Sequence, residues 1–351
     1  MRKPLKVVLL FLLTAILVVM LGLLAYVAYE VFVPRAPAQA VLVTLPRGTS
    51  TPEMARLLEE KNVIGNPWIF DALHLIKKGT LKAGVYRFVE PATLLTVYER
   101  IRMGDVYTIS VTIPEGANIF DIATRLAEKK LCTEQSFLSV AEHDTALIHS
   151  LDPAAPSLEG YLFPDTYHFS PGITAAGIAR TMVDQFRAEI KQLGPLRVEA
   201  TPGVTAEQPS LHEIVTLASL IERETPIPSE RYLVASVFYN RLAQNMPLMT
   251  DPSVIYAAEL AHHYHGAIYE SDLKFDSPYN TYLHTGLPPG PISNPGLASL
   301  KAALHPAHSS YLYFVAATAN PLGHSLFSST LVEHNKNVAA YRLALREAQK
   351  H

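Results

Sequence analysis

From Val7 to Val33 the chain carries roughly 27 residues of almost unbroken Leu, Val, Ala, Ile and Phe, and this run constrains the molecule more than any other stretch. A helix of that length can cross a bilayer. The small residues of Ala36-Pro37-Ala38-Gln39-Ala40 offer sites for cleavage of a signal peptide, but the apolar core of a signal peptide spans only about 7 to 15 residues, so the run reads as an uncleaved anchor. Arg2, Lys3 and Lys6 precede it. By the positive-inside rule they keep the N-terminus cytoplasmic and send everything from about residue 35 across the membrane in a single pass.

The 351 residues leave room for two domains or more beyond the anchor. Charged residues are only 17% and the net charge is -3, so no basic face is implied and nucleic acid is excluded as the main partner. Cys132 is the sole cysteine, which forbids an intrachain disulfide, and its apolar neighbours predict a buried, inert thiol. No metal site is expected. His262, His263 and His265 cluster in a loop without a carboxylate or cysteine at ligand spacing, and His212-Glu213 lacks the second histidine of a zinc helix. No cofactor motif is present either.

Pro34 to Ala38 reads as a stiff spacer. Beyond it, Val41–Leu45 alternates like a strand, Thr51 to Lys61 and Pro67 to Lys77 show helical spacing, Gly84–Phe88 is a strand, and Thr93 to Met103 is helical. About 68 residues on, Val111 to Gly116 echoes Val43 to Gly48, and Ile122-Ala123 with Leu126 echoes Met54-Ala55 with Leu58. Both copies read as strand, turn, helix. The pattern resembles the LysM-like module found beside bacterial cell-wall enzymes.

From residue 157 aromatics and carboxylates fill a Gly- and Pro-punctuated loop, Ser157 to Tyr167, which reads either as a site wall or as a turn capping a core. A helix from Ala175 to Leu193 and a Pro-rich surface loop lead to the stretch Ser210 to Asp251. Ser210 with Glu213 is a capping-box start, and Leu211, Ile214, Val215, Leu217, Ala218 and Ile221 predict an amphipathic helix ending at Glu222-Arg223-Glu224-Thr225. Pro226 and Pro228 stop it, and Ser229 can cap a second helix carrying Leu233, Val234, Val237, Phe238 and Leu242. A carboxyl where a packed helix meets a loop suits acid/base chemistry. Glu222 and Glu224 lie roughly 200° apart on the helix, so they cannot both face one cleft, and spacing does not choose between them or exclude an ion pair to Arg223. Further on, the proline-stiffened run Tyr279 to Gly296 reads as a binding loop, Ala298 to His305 as a short helix, Tyr311 to Ala316 as a buried strand, and His334 opens a last helix to about Gln349.

Five blocks in order carry a family resemblance: Glu159-Gly160-Tyr161-Leu162-Phe163-Pro164-Asp165-Thr166-Tyr167, Ala218 to Thr225, Ser236-Val237-Phe238-Tyr239-Asn240-Arg241-Leu242, Thr250-Asp251-Pro252, and Tyr279-Asn280-Thr281-Tyr282 continuing to Gly286-Leu287-Pro288-Pro289-Gly290. With the anchor, they make the chain similar to the membrane-anchored MltG/YceG-like family of endolytic murein transglycosylases. The resemblance implies an α+β fold: residues 1-39 as cytoplasmic tip, transmembrane helix and spacer, 40-106 as the LysM-like module, 107-156 as a repeat-like lead-in, and 157-351 as a mixed α+β catalytic domain in the periplasm, held at the inner membrane. It implies a lyase that cuts the MurNAc-β-1,4-GlcNAc bond within peptidoglycan strands, leaving 1,6-anhydro-MurNAc ends and trimming or terminating nascent strands. Glycan strands are the implied partner, with peptidoglycan synthases as candidate neighbours. In the family the second glutamate of the Glu-x-Glu-Thr block is catalytic, here Glu224. Glu159, Asp165, Glu222, Asp251, Tyr279, Asn280 and Thr281 are candidate substrate-binding residues. Asp251 before Pro252 can equally cap a turn, and Asp165 can anchor its loop. One departure is Gly323-His324-Ser325-Leu326-Phe327, one residue longer than the family's Gly-His-x-Phe, which leaves the role of His324 open. A muramidase-type hydrolase of the same bond and a non-catalytic wall-binding scaffold are the alternatives.

Overall fold

The apolar run forms one helix, α1 (Lys3–Phe32), in the computed structural model, which describes residues 3–198, 209–320 and 323–348 and side chains from Lys6 onward. Its Lys6–Phe32 stretch has mean hydropathy 3.2 and no buried residue in its most apolar window, unlike the core helix of a soluble domain. Arg2, most of the Pro-rich loop before Ser210, and Gln349 lie outside the described residues.

The chain divides into two compact units, one made of Met1–Ile109, and so including α1, with His168–Pro171, the other of Ser110–Tyr167 with Gly172–His351. In the first, β1 (Val41–Leu45) and β2 (Gly84–Phe88) pair antiparallel with Val43 opposite Tyr86, and between them come α2 (Thr51–Glu60) and α3 (Pro67–Lys77). The α4 helix (Leu94–Met103) follows and stops at Gly104, whose φ of 76° closes the helix in the left-handed region. Leu45, Leu58, Phe70, Tyr86, Tyr98 and Ile101 form the centre of its core.

From Ile109 onward the strand-turn-helix echo recurs, with a strand one residue shorter than β1. Gly116 takes φ of 79° where Gly48 takes 84°. β3 (Ile109–Thr112) leads into that turn and α5 (Ile119–Glu128) leaves it through a capping box of Asn118 and Asp121. After α6 (Glu134–His143), β4 (Thr166–Phe169) pairs with β3, so the end of the segment 157–167, which reads as a loop in the sequence, is strand. Next come α7 (Ala175–Gln192), α8 (Leu211–Glu224), α9 (Arg231–Ala243), α10 (Asp251–Leu260) and α11 (Leu297–Leu304). β5 (Tyr313–Ala316) and β6 (Ser325–Ser328) pair antiparallel, and α12 (Leu331–Ala348) follows.

Four local expectations need correction. Ser229 lies inside a single 3-10 turn, Pro228–Glu230, so Glu230 rather than Ser229 precedes α9. The strand at Tyr313 starts two residues late and is half-buried, because β6 covers only part of it. The last helix starts at Leu331 because Thr330 and Glu333 cap each other's backbone N–H groups at 3.3 Å. Cys132 is half-buried, with burial pushing its thiol up from the ordinary value.

Candidate active site

The α8 helix is the element on which the second unit is packed. Ser210 and Glu213 form the capping box that starts it, and every residue from Ile214 to Glu222 is buried. Instead of an exposed polar stripe it has Thr216 and Ser219, both fully covered: the Ser219 hydroxyl donates to the Thr216 carbonyl at 2.7 Å and accepts the Ile292 N–H at 3.0 Å. The segment 291–294 therefore seals the face that the amphipathic pattern left to water. Such a helix holds its last residue on a rigid base.

That last residue is Glu224. It stands in a cleft of about 460 Å³ with Arg241 from α9, Asp251 and Tyr282, and with Tyr313 and His334 on the far wall. Among the described residues its carboxyl takes no hydrogen bond or ion pair, so both oxygens stay open to a ligand. Burial pushes it up to about 8, with the Asp251 carboxylate adding and Arg241 opposing. The negative end of the α8 dipole works in the same direction as Asp251. At neutral pH the group is thus a loaded acid.

The surrounding side chains are fixed. Arg241 donates through Nε to the Leu312 carbonyl at 2.7 Å and through Nη1 to the Leu248 and Pro247 carbonyls at 2.7 and 3.2 Å, and it lies 5.3 Å from the Tyr313 ring centroid. Tyr282 donates its hydroxyl to Asp251 Oδ1 at 2.6 Å, and burial with that carboxylate holds the phenol well above its ordinary value, so it stays a donor. His334 stacks on Tyr313 with ring centroids 5.1 Å apart, and burial followed by Arg241 pulls its imidazole down.

Of the candidates read from sequence, only Glu224 and Asp251 line this cleft. Glu222 turns the other way: Oε1 accepts from Arg231 at 2.7 Å and Oε2 from the Gly296 N–H at 3.0 Å, and burial pushes the carboxyl up against the opposing pull of Arg231. Its partner is Arg231, whereas Arg223 is exposed and donates to the Gly116 carbonyl. Glu159 is buried and clamps the start of α5, accepting the Ile119 N–H at 2.9 Å and Asn294 Nδ2 at 2.8 Å, and burial pushes it up to about 8. Asp165 is exposed and accepts its neighbour's N–H at Thr166.

Tyr279 packs edge-on against Tyr256 at 5.2 Å. Asn280 spends its amide on the carbonyls of Phe275, Leu273 and Asp272, and Thr281 bonds Thr250 and Ser253, so these two organise the loop that presents Tyr282. His324 bonds Glu230 Oε1 at 3.0 Å and does not line the cleft. The segment 157–163 meets the body of α8 rather than its tip. Gly160 at φ of 88° has room for no Cβ, which would lie 2.5 Å from Pro291 and 2.8 Å from Val215.

Arg241 and Tyr282 sit inside the quoted sequence blocks, but nothing in their spacing distinguishes them from neighbours such as Asn240 and Tyr279. Tyr313 and His334 lie some 90 to 110 residues beyond Glu224 and carry no sequence signal.

The YceG-like family model matches residues 43–340. A Bacillus subtilis (strain 168) protein named endolytic murein transglycosylase is 35% identical over 317 residues, which cover 86% of this chain and 84% of that one. A protein of the same name from Streptococcus pneumoniae serotype 2 (strain D39) is 29% identical over 330 residues, again 86% of this chain, and the match spans 58% of the longer pneumococcal protein. The crystal structure of a yceG-like protein from Listeria monocytogenes is also similar, with a TM-score of 0.54 and 34% identity over 85% of this chain and 99% of that one.

Proposed function

The chain belongs to the YceG-like family, and from that footing we propose that it cuts murein glycan strands internally by lytic transglycosylation, with Glu224 as both acid and base. The observation that carries this is the state of Glu224: an unengaged carboxyl on a rigid helix end, pushed up to about 8, in a cleft of about 460 Å³. Protonated at neutral pH, it donates to the glycosidic oxygen as the bond between MurNAc and GlcNAc breaks. The resulting carboxylate then takes the proton from the C6 hydroxyl of the muramoyl residue as that oxygen attacks the anomeric carbon. A 1,6-anhydro ring forms and no water is consumed. One group thus serves in two steps, in the direction its pKa favours each time.

Asp251 supports the positive charge that develops on the sugar ring, held in place by Tyr282. Arg241 is pinned to three backbone carbonyls and tempers the rise of the Glu224 pKa. The α1 helix anchors the chain, with the cleft-bearing unit on the extracytoplasmic side, where murein lies. Asp251 also favours a second reading, hydrolysis, in which a second carboxylate in the cleft activates water.

Product mass separates the two. Sacculi digested by the purified full chain in detergent should release fragments ending in anhydro-muramoyl groups, one water lighter than reducing ends. Reducing ends alone would transfer the site to the hydrolytic reading, and no release at all would leave a binding protein.

A further inference from the structure

The first unit leaves one helix face bare. On α3, Trp68, Leu75 and Ile76 are 76%, 75% and 78% exposed, and with exposed Ala72 they fall at i, i+4, i+7 and i+8, a continuous apolar stripe along one side. Phe70, on the opposite side, is fully buried in the core. The helix is otherwise well made, with Asn66 accepting the N–H groups of Trp68 and Ile69 and Pro67 in the first turn.

The position of this stripe along α1 identifies its partner. The Asn66 side-chain amide donates to the Tyr26 hydroxyl at 3.2 Å. Val7 to Tyr26 is 20 residues, about 30 Å of helix, which equals the thickness of a hydrocarbon core. Tyr26 therefore falls at the edge of the bilayer, the level at which aromatic belts sit, and Trp68 is two residues past the group that holds it. Four residues beyond Tyr26, Glu30 is covered by the module and paired with Arg35 at 2.7 Å, so α1 has left lipid there.

We propose that α3 lies along the headgroup boundary of the bilayer that α1 crosses, with Trp68, Leu75 and Ile76 in contact with lipid. This rests on α1 being the membrane anchor. The attraction is apolar: Lys78 follows the stripe and can reach headgroups, but Lys77 is paired with Glu99 at 2.7 Å, and the hollow beside Trp68 is bordered by Glu59, Glu60 and Asp71 against the single cation Arg56. The contact gives the first unit a second attachment besides α1, which is itself fastened to that unit by Asn66 on Tyr26 and by the paired backbones of Arg35 and Ala92 at 2.9 and 3.0 Å.

Trp68 is the chain's single tryptophan, so its fluorescence reads the contact without labels. The full chain would be reconstituted in phosphatidylcholine vesicles with and without brominated phosphatidylcholine, after checking that it resists alkaline carbonate extraction. The proposal predicts that bromolipid removes a large part of the Trp68 emission, that aqueous acrylamide quenches it weakly, and that L75E/I76E reverses both while remaining carbonate-resistant. Retention with Trp68 quenched by acrylamide and untouched by bromolipid would overturn the contact and leave the anchor standing. Shielding from both quenchers would assign the stripe to another protein surface and equally overturn it. Release by carbonate would remove the anchor and the contact together.

Discussion

Glu222 and Glu224 differ by two positions and by everything around them, and Glu222→Gln shows what that difference is worth. The Glu222 carboxylate is buried, 2.7 Å from Arg231 and 3.0 Å from the Gly296 N–H, and Arg231 is itself buried with, among the described residues, only Glu115 as a second carboxylate partner at 3.5 Å. Removing one member of such a pair strands a charge, at a cost of about 3–5 kcal/mol. Glutamine keeps one oxygen for Gly296 and leaves Glu115 for Arg231, so the expected loss is about 2–4 kcal/mol, well above the fraction of a kcal/mol that a surface pair would contribute. For a unit of this size that is roughly 5–15 °C in Tm. Melting followed by circular dichroism in detergent would measure it, alongside turnover on glycan well below the transition. Turnover should stay within a small factor of wild type. A variant that melts like wild type yet has lost turnover would refute the structural reading and move the acid two residues upstream.

Asp251→Asn removes a charge that raises the Glu224 pKa, so the alkaline limb of a kcat profile, which reports loss of the protonated acid, should move from about 8 to lower pH; a limb that stays put would show that Asp251 does not sense Glu224. Because the folded-state pKa of Glu224 lies above its ordinary 4.5, the folded state holds the extra proton between about 4.5 and 8, and the stability it contributes is lost as pH rises through that window. Glu224→Gln should therefore match wild type near pH 4 and exceed it at pH 8. The full shift is worth at most ~5 kcal/mol, and about 2 kcal/mol after allowing for the partial exposure of Glu224; equal denaturation midpoints at both pH values would contradict it. Gly160→Ala combines a left-handed φ with overlap against Pro291 and Val215 and should cost about 2–4 kcal/mol by urea denaturation; a loss below about 0.5 kcal/mol, within the range of ordinary surface substitutions, would mean the segment repacks freely.

Periodicity and end signals made much of the scaffold legible. The bounds of α3 and β2 follow from Pro67, Lys77 and the alternation at Gly84–Phe88, and the capping box at Ser210 marks the start of α8. Elements with weaker signals were not legible: β6 has four residues, and the Thr330–Glu333 capping box lacks a strong apolar run behind it. At the site, helical phase separated Glu222 from Glu224 but could not tell which one faced a cleft. That depended on Arg231 and Gly296 capturing Glu222, which are tertiary contacts. Asn280 and Thr281 read as ligand groups because they are polar residues in a rigid loop, yet both spend their hydrogen bonds holding the loop itself. Tyr313 and His334 reach the cleft only through the packing of β5 and α12.

In the proposed reaction one carboxyl, Glu224, does both proton transfers. The most direct measurement is the release of anhydro-muramoyl fragments by Glu224→Gln against wild type, both in detergent and both verified as folded by circular dichroism. Glutamine preserves size and polarity but carries no titratable proton, so the rate should fall by at least about 10² to 10⁴ while glycan strands still bind. Release of anhydro ends at a wild-type rate by the folded variant would take both transfers away from Glu224.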